Sequence, residues 1–163
     1  MSAQDISLTV LAIIGTLAAF RLVTTRNVVH AALSLVVTLA MVGGVYLVLA
    51  AEFVAFVQII IYVGAIVVLL LFSLMLTKAP IGRDALDNQQ RGLAGLVAAA
   101  VMGGLLFLVT DSFHAEKIVP VHTTTEQIGS TIFANFVMPF EVVSILLLAA
   151  LIGAVALARK EEP

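Results

Sequence analysis

The chain has 163 residues, of which 62% are hydrophobic and 11% charged, with a formal net charge of −2 and no cysteine. A chain this short cannot hide so much apolar surface in one water-soluble core, and a disordered chain would be far more polar, so a soluble enzyme and a disordered segment are both excluded. The absence of thiols removes disulfides, thiolate catalysis and Cys-ligated zinc or iron–sulfur centres, and the weak negative charge offers no field for nucleic acid.

A mean hydropathy of +1.19 points to an integral membrane protein. A spanning helix needs about 20 consecutive apolar residues. Five runs qualify: Ile6–Thr24, Val28–Ala50, Phe53–Thr77, Gly92–Thr110 and Pro139–Ala158. None alternates apolar with polar, as the strands of a membrane β-barrel would. The first run follows Asp5 rather than a basic stretch, is long, and is followed by Arg21 and Arg26. It therefore reads as a retained helix, not a cleaved signal peptide.

In the second run, His30, Ser34 and Thr38 recur every four residues and form one stripe on a helix. Ser and Thr can bond preceding carbonyls or a neighbouring helix. His30, at the inner interface, either stays solvated or carries a proton. In the third run, Gln58 and Tyr62 are four residues apart, and Ser73 returns to nearly the same helical face. Gln58 does not titrate as a carboxylate would, but its amide both donates and accepts and so can hold water. Gly64, within Tyr62-Val63-Gly64-Ala65, weakens a helix and permits close backbone approach. A π-bulge there costs little, and such bulges cluster at functional sites; simple helix packing accounts for a glycine equally well.

The fourth connection, residues 111–138, is mostly polar. Its Ile128, Ile132, Phe133 and Phe136 recur at spacings of three to four, which predicts a short amphipathic helix on the outer surface. In the fifth run, Pro139 is expected in the first helical turn, placing Glu141 in that turn near the outer surface. The helix dipole favours a carboxylate there; an ion-pathway role or a contact to a partner helix is the other reading. Glu52 reads as interfacial and solvated.

Seven of the eight basic residues fall on one side: Arg21, Arg26, Lys78, Arg83, Arg91, Arg159 and Lys160, against Lys117 alone on the other. This predicts the N-terminus outside and the C-terminus inside. No carboxylate or basic residue stands at the centre of a span, so the chain is not expected to pump ions unaided. His114, Glu116, His122 and Glu126 fit no metal-ligand spacing, and the chain shows no nucleophile–base set, phosphate loop or cofactor fingerprint. Without an internal repeat, residues 1–163 read as a single membrane domain.

Three blocks carry a resemblance. They are Phe53 to Phe72 around the Tyr62-Val63-Gly64-Ala65 element, Arg26 to Leu33, and Gly129 to Phe133 followed by Phe140 to Ala149. Together they resemble chain J of bacterial respiratory complex I, an NADH-quinone oxidoreductase, the counterpart of mitochondrial NADH dehydrogenase subunit 6. The resemblance runs through all five spans in order. It implies an all-α, multi-pass subunit of the cell inner (plasma) membrane, with a π-bulge near Tyr62 and Gly64 whose rotation opens a water path toward carboxylates on a K-type neighbour. It also implies partners among the K-type, A-type and H-type chains and the lipid bilayer. Quinone, FMN and iron–sulfur clusters are expected on those partners and no cofactor, metal or catalytic residue on this chain. The resulting candidates for the proton path or gate are Tyr62, Gly64, Gln58, Glu141 and His30. Members with a glutamate at the Gln58 place differ here, since the amide has no titrating role. A related cation/proton antiporter assembly, or a purely structural helix bundle, stand as the alternatives.

Overall fold

The computed structural model describes residues 3–77, 90–112 and 123–159, and all regular structure among them is helical. Five helices are long and apolar enough to cross a membrane: Ala3–Thr24, Val28–Val48, Glu52–Leu76, Gly92–Ser112 and Val137–Ala158. At 1.5 Å per residue each matches a hydrocarbon core of about 30 Å. We label α1 Ala3–Thr24 and α2 Val28–Val48; the third span is built from α3 (Glu52–Val57), a π-helical segment (Gln58–Ile66) and α4 (Val67–Leu76). Then come α5 (Arg91–Ser112), α6 (Thr125–Asn135) and α7 (Val137–Ala158).

The first two turns between spans are set by short local chemistry. Asn27 is extended (φ −91°, ψ 115°), and its side-chain oxygen accepts from the backbone N–H groups of Val29 and His30, which caps α2. At the other end of α2 the Ala50 N–H donates to the Leu47 carbonyl and the Ala51 N–H to the Tyr46 carbonyl. That bonding pair is a Schellman motif, which places its last residue but one in the left-handed region that glycine favours. Here the position is Ala50, with φ 58°. The motif turns the chain within three residues, so that the third span runs back along α2.

α2 lies between the other two members of the bundle. It packs against α1 on one side and against α3, the π segment and α4 on the other. Glycines permit both approaches. A Cβ added at Gly44 would stand 3.0 Å from Leu11 Cδ2, and one at Gly43 only 2.8 Å from Ile59 Cδ1. The Gln4 amide donates to the Val48 carbonyl at 3.0 Å and ties the start of α1 to the end of α2. Among the described residues the buried apolar side chains are few and small: Ala32, Ala55 and Val67.

The last two spans are different. Among the described residues α5 touches no other element, and α7 touches α6 alone. α7 exposes apolar residues all round, to 90% at Leu157. Such a helix needs lipid or another chain around it. α6 forms where the apolar spacing of Ile128, Ile132 and Phe133 predicts a helix, and it is opened by a capping box between Thr124 and Gln127. It meets α7 through an edge-to-face pair of Phe133 and Phe140, with ring centroids 5.2 Å apart.

One expectation is corrected here. α7 begins at Val137, two residues before Pro139, so no acidic residue lies in its first turn and Glu141 falls in the second. Proline is tolerated at the third position because the N–H it lacks is one of those that a helix start leaves unpaired. The dipole effect fades beyond the first turn, so it does not account for Glu141.

Ala50→Gly should raise stability by about 0.5–1 kcal/mol, the relief of left-handed strain exceeding the extra entropy of the unfolded chain. A higher midpoint of thermal unfolding in detergent micelles checks this.

Candidate functional site in the third span

The third span presents Ala55, Gln58, Val63 and Val67 toward α2, with Ala55, Gln58 and Val67 buried and Val63 half-buried. The steps between them are three, five and four residues. An α-helix returns to one face every three or four residues, so the step of five marks the inserted residue of a π-helix. The backbone agrees, because the Val67 N–H donates to the Tyr62 carbonyl five residues earlier.

This register decides which polar groups meet. On an α-helix Gln58 and Tyr62 would share a face. The π segment puts Val63 beneath Gln58 instead and turns Tyr62 outward. Gln58 is 8% exposed and Tyr62 45%. The expected common face of Gln58, Tyr62 and Ser73 is therefore not formed, and Ser73 too is exposed. The π segment covers nine residues, Gln58–Ile66, so the departure from α geometry extends over the middle of the span.

Gln58 is anchored across the interface. Its Nε2 donates to the Leu39 carbonyl of α2 at 3.4 Å, a long and weak bond. The approach is possible because Gly43, one turn on from Leu39, carries no side chain. A Cβ there would also stand 3.1 Å from Ile59 Cγ1 and 3.6 Å from Gln58 Cγ. Gly64 behaves differently. It is exposed, and a Cβ there would meet the Ile59 carbonyl oxygen at 3.5 Å, ordinary contact within its own helix. Packing inside this chain thus requires a glycine at Gly43 and not at Gly64. Sequence reasoning passed over Gly43, although the Gly43-Gly44 pair in mid-span was the available signal.

The remaining candidates lie elsewhere. In the α2 stripe, Ser34 is buried and half-buried Thr38 donates its hydroxyl to the Ser34 carbonyl at 2.8 Å, so Thr38 is satisfied by its own helix. His30 is exposed at the start of α2, beside Arg21 of α1 in an open groove. Glu141 is exposed on α7. The structure does not bring Glu141 or His30 to the π segment. Among the described residues the buried polar side chains are Ser34 and Gln58, neither of which changes charge in the working range of a protein. His114, Glu116 and His122 lie outside the described residues, as do Lys78, Arg83, Lys117 and Lys160. Among those described, no three acidic or imidazole groups gather as a metal site would require.

Five apolar helices long enough to span a membrane, the third with a π-helical middle, describe a multi-pass membrane protein. Comparison with known proteins says which. The chain belongs to the family of NADH-ubiquinone/plastoquinone oxidoreductase chain 6, whose model matches residues 18–157. It is 36% identical to a chloroplastic NAD(P)H-quinone oxidoreductase subunit 6 of Mesostigma viride, over 98% of this chain and 86% of the relative. It is 38% identical to NAD(P)H-quinone oxidoreductase chain 6 of Leptolyngbya boryana, over 97% and 81%. It is 39% identical to F(420)H(2) dehydrogenase subunit J of Methanosarcina mazei, over 93% and 88%. The family is a membrane subunit of the complex I type, so other subunits of an oxidoreductase complex are this chain's partners.

Gly43→Leu should push the third span off α2 and lower stability by about 1–3 kcal/mol, the usual penalty of overpacking. Gly43→Ala should cost less, because the far end of the Ile59 side chain can turn aside. Gly103→Leu on α5 meets open space and serves as the control in the same thermal unfolding series.

Proposed function

We propose that this chain is a membrane-arm subunit of a proton-translocating NADH:quinone oxidoreductase that helps to couple quinone reduction to proton translocation by gating a water path at the π segment. The observation that carries the reading is the register of that segment. In the π register the residue beneath Gln58 is Val63, so no second polar side chain of the third span joins the Gln58 amide at the seam against α2. Return to an α register would advance the face by one residue, about 100°, and bring Tyr62 to that place. The phenol hydroxyl and the Gln58 amide would then stand on one face, able to hold water between them. Gly64 supplies the backbone freedom for the change. A nine-residue π segment at a functional position is itself a costly geometry that such a switch would use.

The energetics set a lower bound. Moving one charge against 100 mV takes about 2.3 kcal/mol. The two registers must differ by a comparable amount in each stage of the cycle if the path is not to leak. Quinone reduction on other chains supplies that free energy. With no cysteine, this chain offers no thiolate to an iron–sulfur cluster; quinone, FMN and the clusters belong to partner subunits. Its relatives are named for different electron donors, NAD(P)H and F(420)H(2). The donor is accordingly a property of those partners. The carboxylates that carry protons are expected on a K-type neighbour, with A-type and H-type chains also adjoining, in the inner (plasma) membrane. The basic residues favour the N-terminus outside and the C-terminus inside. Glu141 and His30 remain candidates for contacts outside the gate itself.

Gly64→Ala tests the gate without a steric clash, since the added methyl has room. The complex should assemble while coupled turnover in proteoliposomes falls, because alanine stiffens the helix relative to glycine by about 1 kcal/mol. An assembled complex with an unchanged proton-to-electron ratio and rate would end the gating reading and leave a scaffold role. Co-purifying redox subunits separate the oxidoreductase from an antiporter assembly. Orientation is checked by single cysteines in this cysteine-free chain: an impermeant maleimide should reach Thr25→Cys from the inside and Glu52→Cys from the outside.

A further inference from the structure

Two grooves run along the seam of α1 and α2, and they differ in one respect. The first, about 420 Å³, has Thr16, Thr38 and Tyr46 as its polar residues and contains no charge. The second, about 540 Å³, has walls of Ile14, Leu17, Leu33 and Val37 with Ser34 as the one polar residue among them, and it ends at Arg21 and His30. Arg21 belongs to the last turn of α1, at the level where the chain leaves the membrane. From there to Ile14 the groove follows α1 for two turns, about 10 Å toward mid-bilayer. Arg21 and His30 are both exposed, and neither makes an ion pair with a described carboxylate.

The arrangement is a cationic head on an apolar trough, with the charge at the interface and the trough running inward. A soluble anion would have no use for the trough, and an apolar partner helix would leave the guanidinium without a counter-charge at the membrane boundary. We propose that this groove seats an anionic phospholipid, with the headgroup phosphate on the Arg21 guanidinium, His30 completing the polar end, and an acyl chain lying against Leu17, Leu33 and Val37. Guanidinium pairs with phosphate through parallel N–H donors, and the acyl chain covers side chains that would otherwise meet annular lipid only loosely. The inference is independent of the gate at the π segment.

The test uses the assembled complex, purified in mild detergent, depleted of lipid and offered phosphatidylglycerol or phosphatidylcholine of the same acyl chains, with retained lipid read by native mass spectrometry. Wild type should retain phosphatidylglycerol in preference. Arg21→Gln should lower that retention about fivefold, the effect of one interfacial cationic contact. Arg26→Gln, with the same charge loss outside the groove, should leave it unchanged. Equal retention by Arg21→Gln, or equal retention of the two lipids by wild type, would overturn the proposal. A second arm does not depend on assembly of the Arg21 variant: Leu33→Cys in the otherwise native complex should be labelled by a phosphatidylglycerol bearing a thiol-reactive acyl chain. If Leu33→Cys instead cross-links to a neighbouring subunit, the groove is a protein interface and the lipid is excluded.

Discussion

The close approach of α2 to the middle of the third span is the constraint on which the rest depends. At Gly43 the third span lies near enough that an added methyl group would stand 2.8 Å from Ile59 Cδ1 and force that side chain aside. That proximity lets the Gln58 amide reach the Leu39 carbonyl, and it buries Gln58, Ala55 and Val67 along one seam. In lipid, where apolar burial offers little drive for helix association, close packing of small residues supplies most of it. A buried amide in that seam needs a partner, and the α2 carbonyl is one. The π register and the contact act on the same seam: the inserted residue turns Val63 inward, and the missing Cβ of Gly43 leaves room for Ile59 and the Gln58 side chain.

The other half of the chain shows the opposite economy. Among the described residues α5 meets no other helix, and α7, whose exposed Leu, Val and Ile stand on every side, meets only the short helix α6. A self-contained transporter would close its helices around an internal site. Here three spans form a bundle and two remain free to meet lipid or other subunits, which agrees with membership of a multi-subunit oxidoreductase family. Among the described residues no titrating group is buried, which is what the proposed role, a path shaped here with the charges on neighbouring subunits, requires.

Legibility differed from element to element for identifiable reasons. The spans were readable because the membrane imposes length and hydropathy on a helix whatever its neighbours are. The short helix α6 was readable from apolar spacing, while its Thr124 capping box is seen only in the structure. The faces of the third span were not, because assigning Gln58 and Tyr62 to one side assumes a period of 3.6, and the π segment breaks that period where the candidates lie. Glu141 lies one turn further into α7 than Pro139 alone suggests, because Val137 and Met138 are already helical ahead of the proline. Gly64 stands out through its neighbours in the motif; Gly43, twenty-one positions earlier, is marked only by its pairing with Gly44, and its part emerges with Ile59 against it.

By itself, the sequence determined that the chain lives in a membrane, how many times it can cross, and that it lacks a mid-span charge. These follow from composition and order alone, since lipid acts on each helix separately. Tertiary structure decided which side of the third span faces α2, which glycine lets the two meet, and which spans are left without a neighbour. Those depend on the backbone register and on distances between residues far apart in the chain, and no local pattern encodes either.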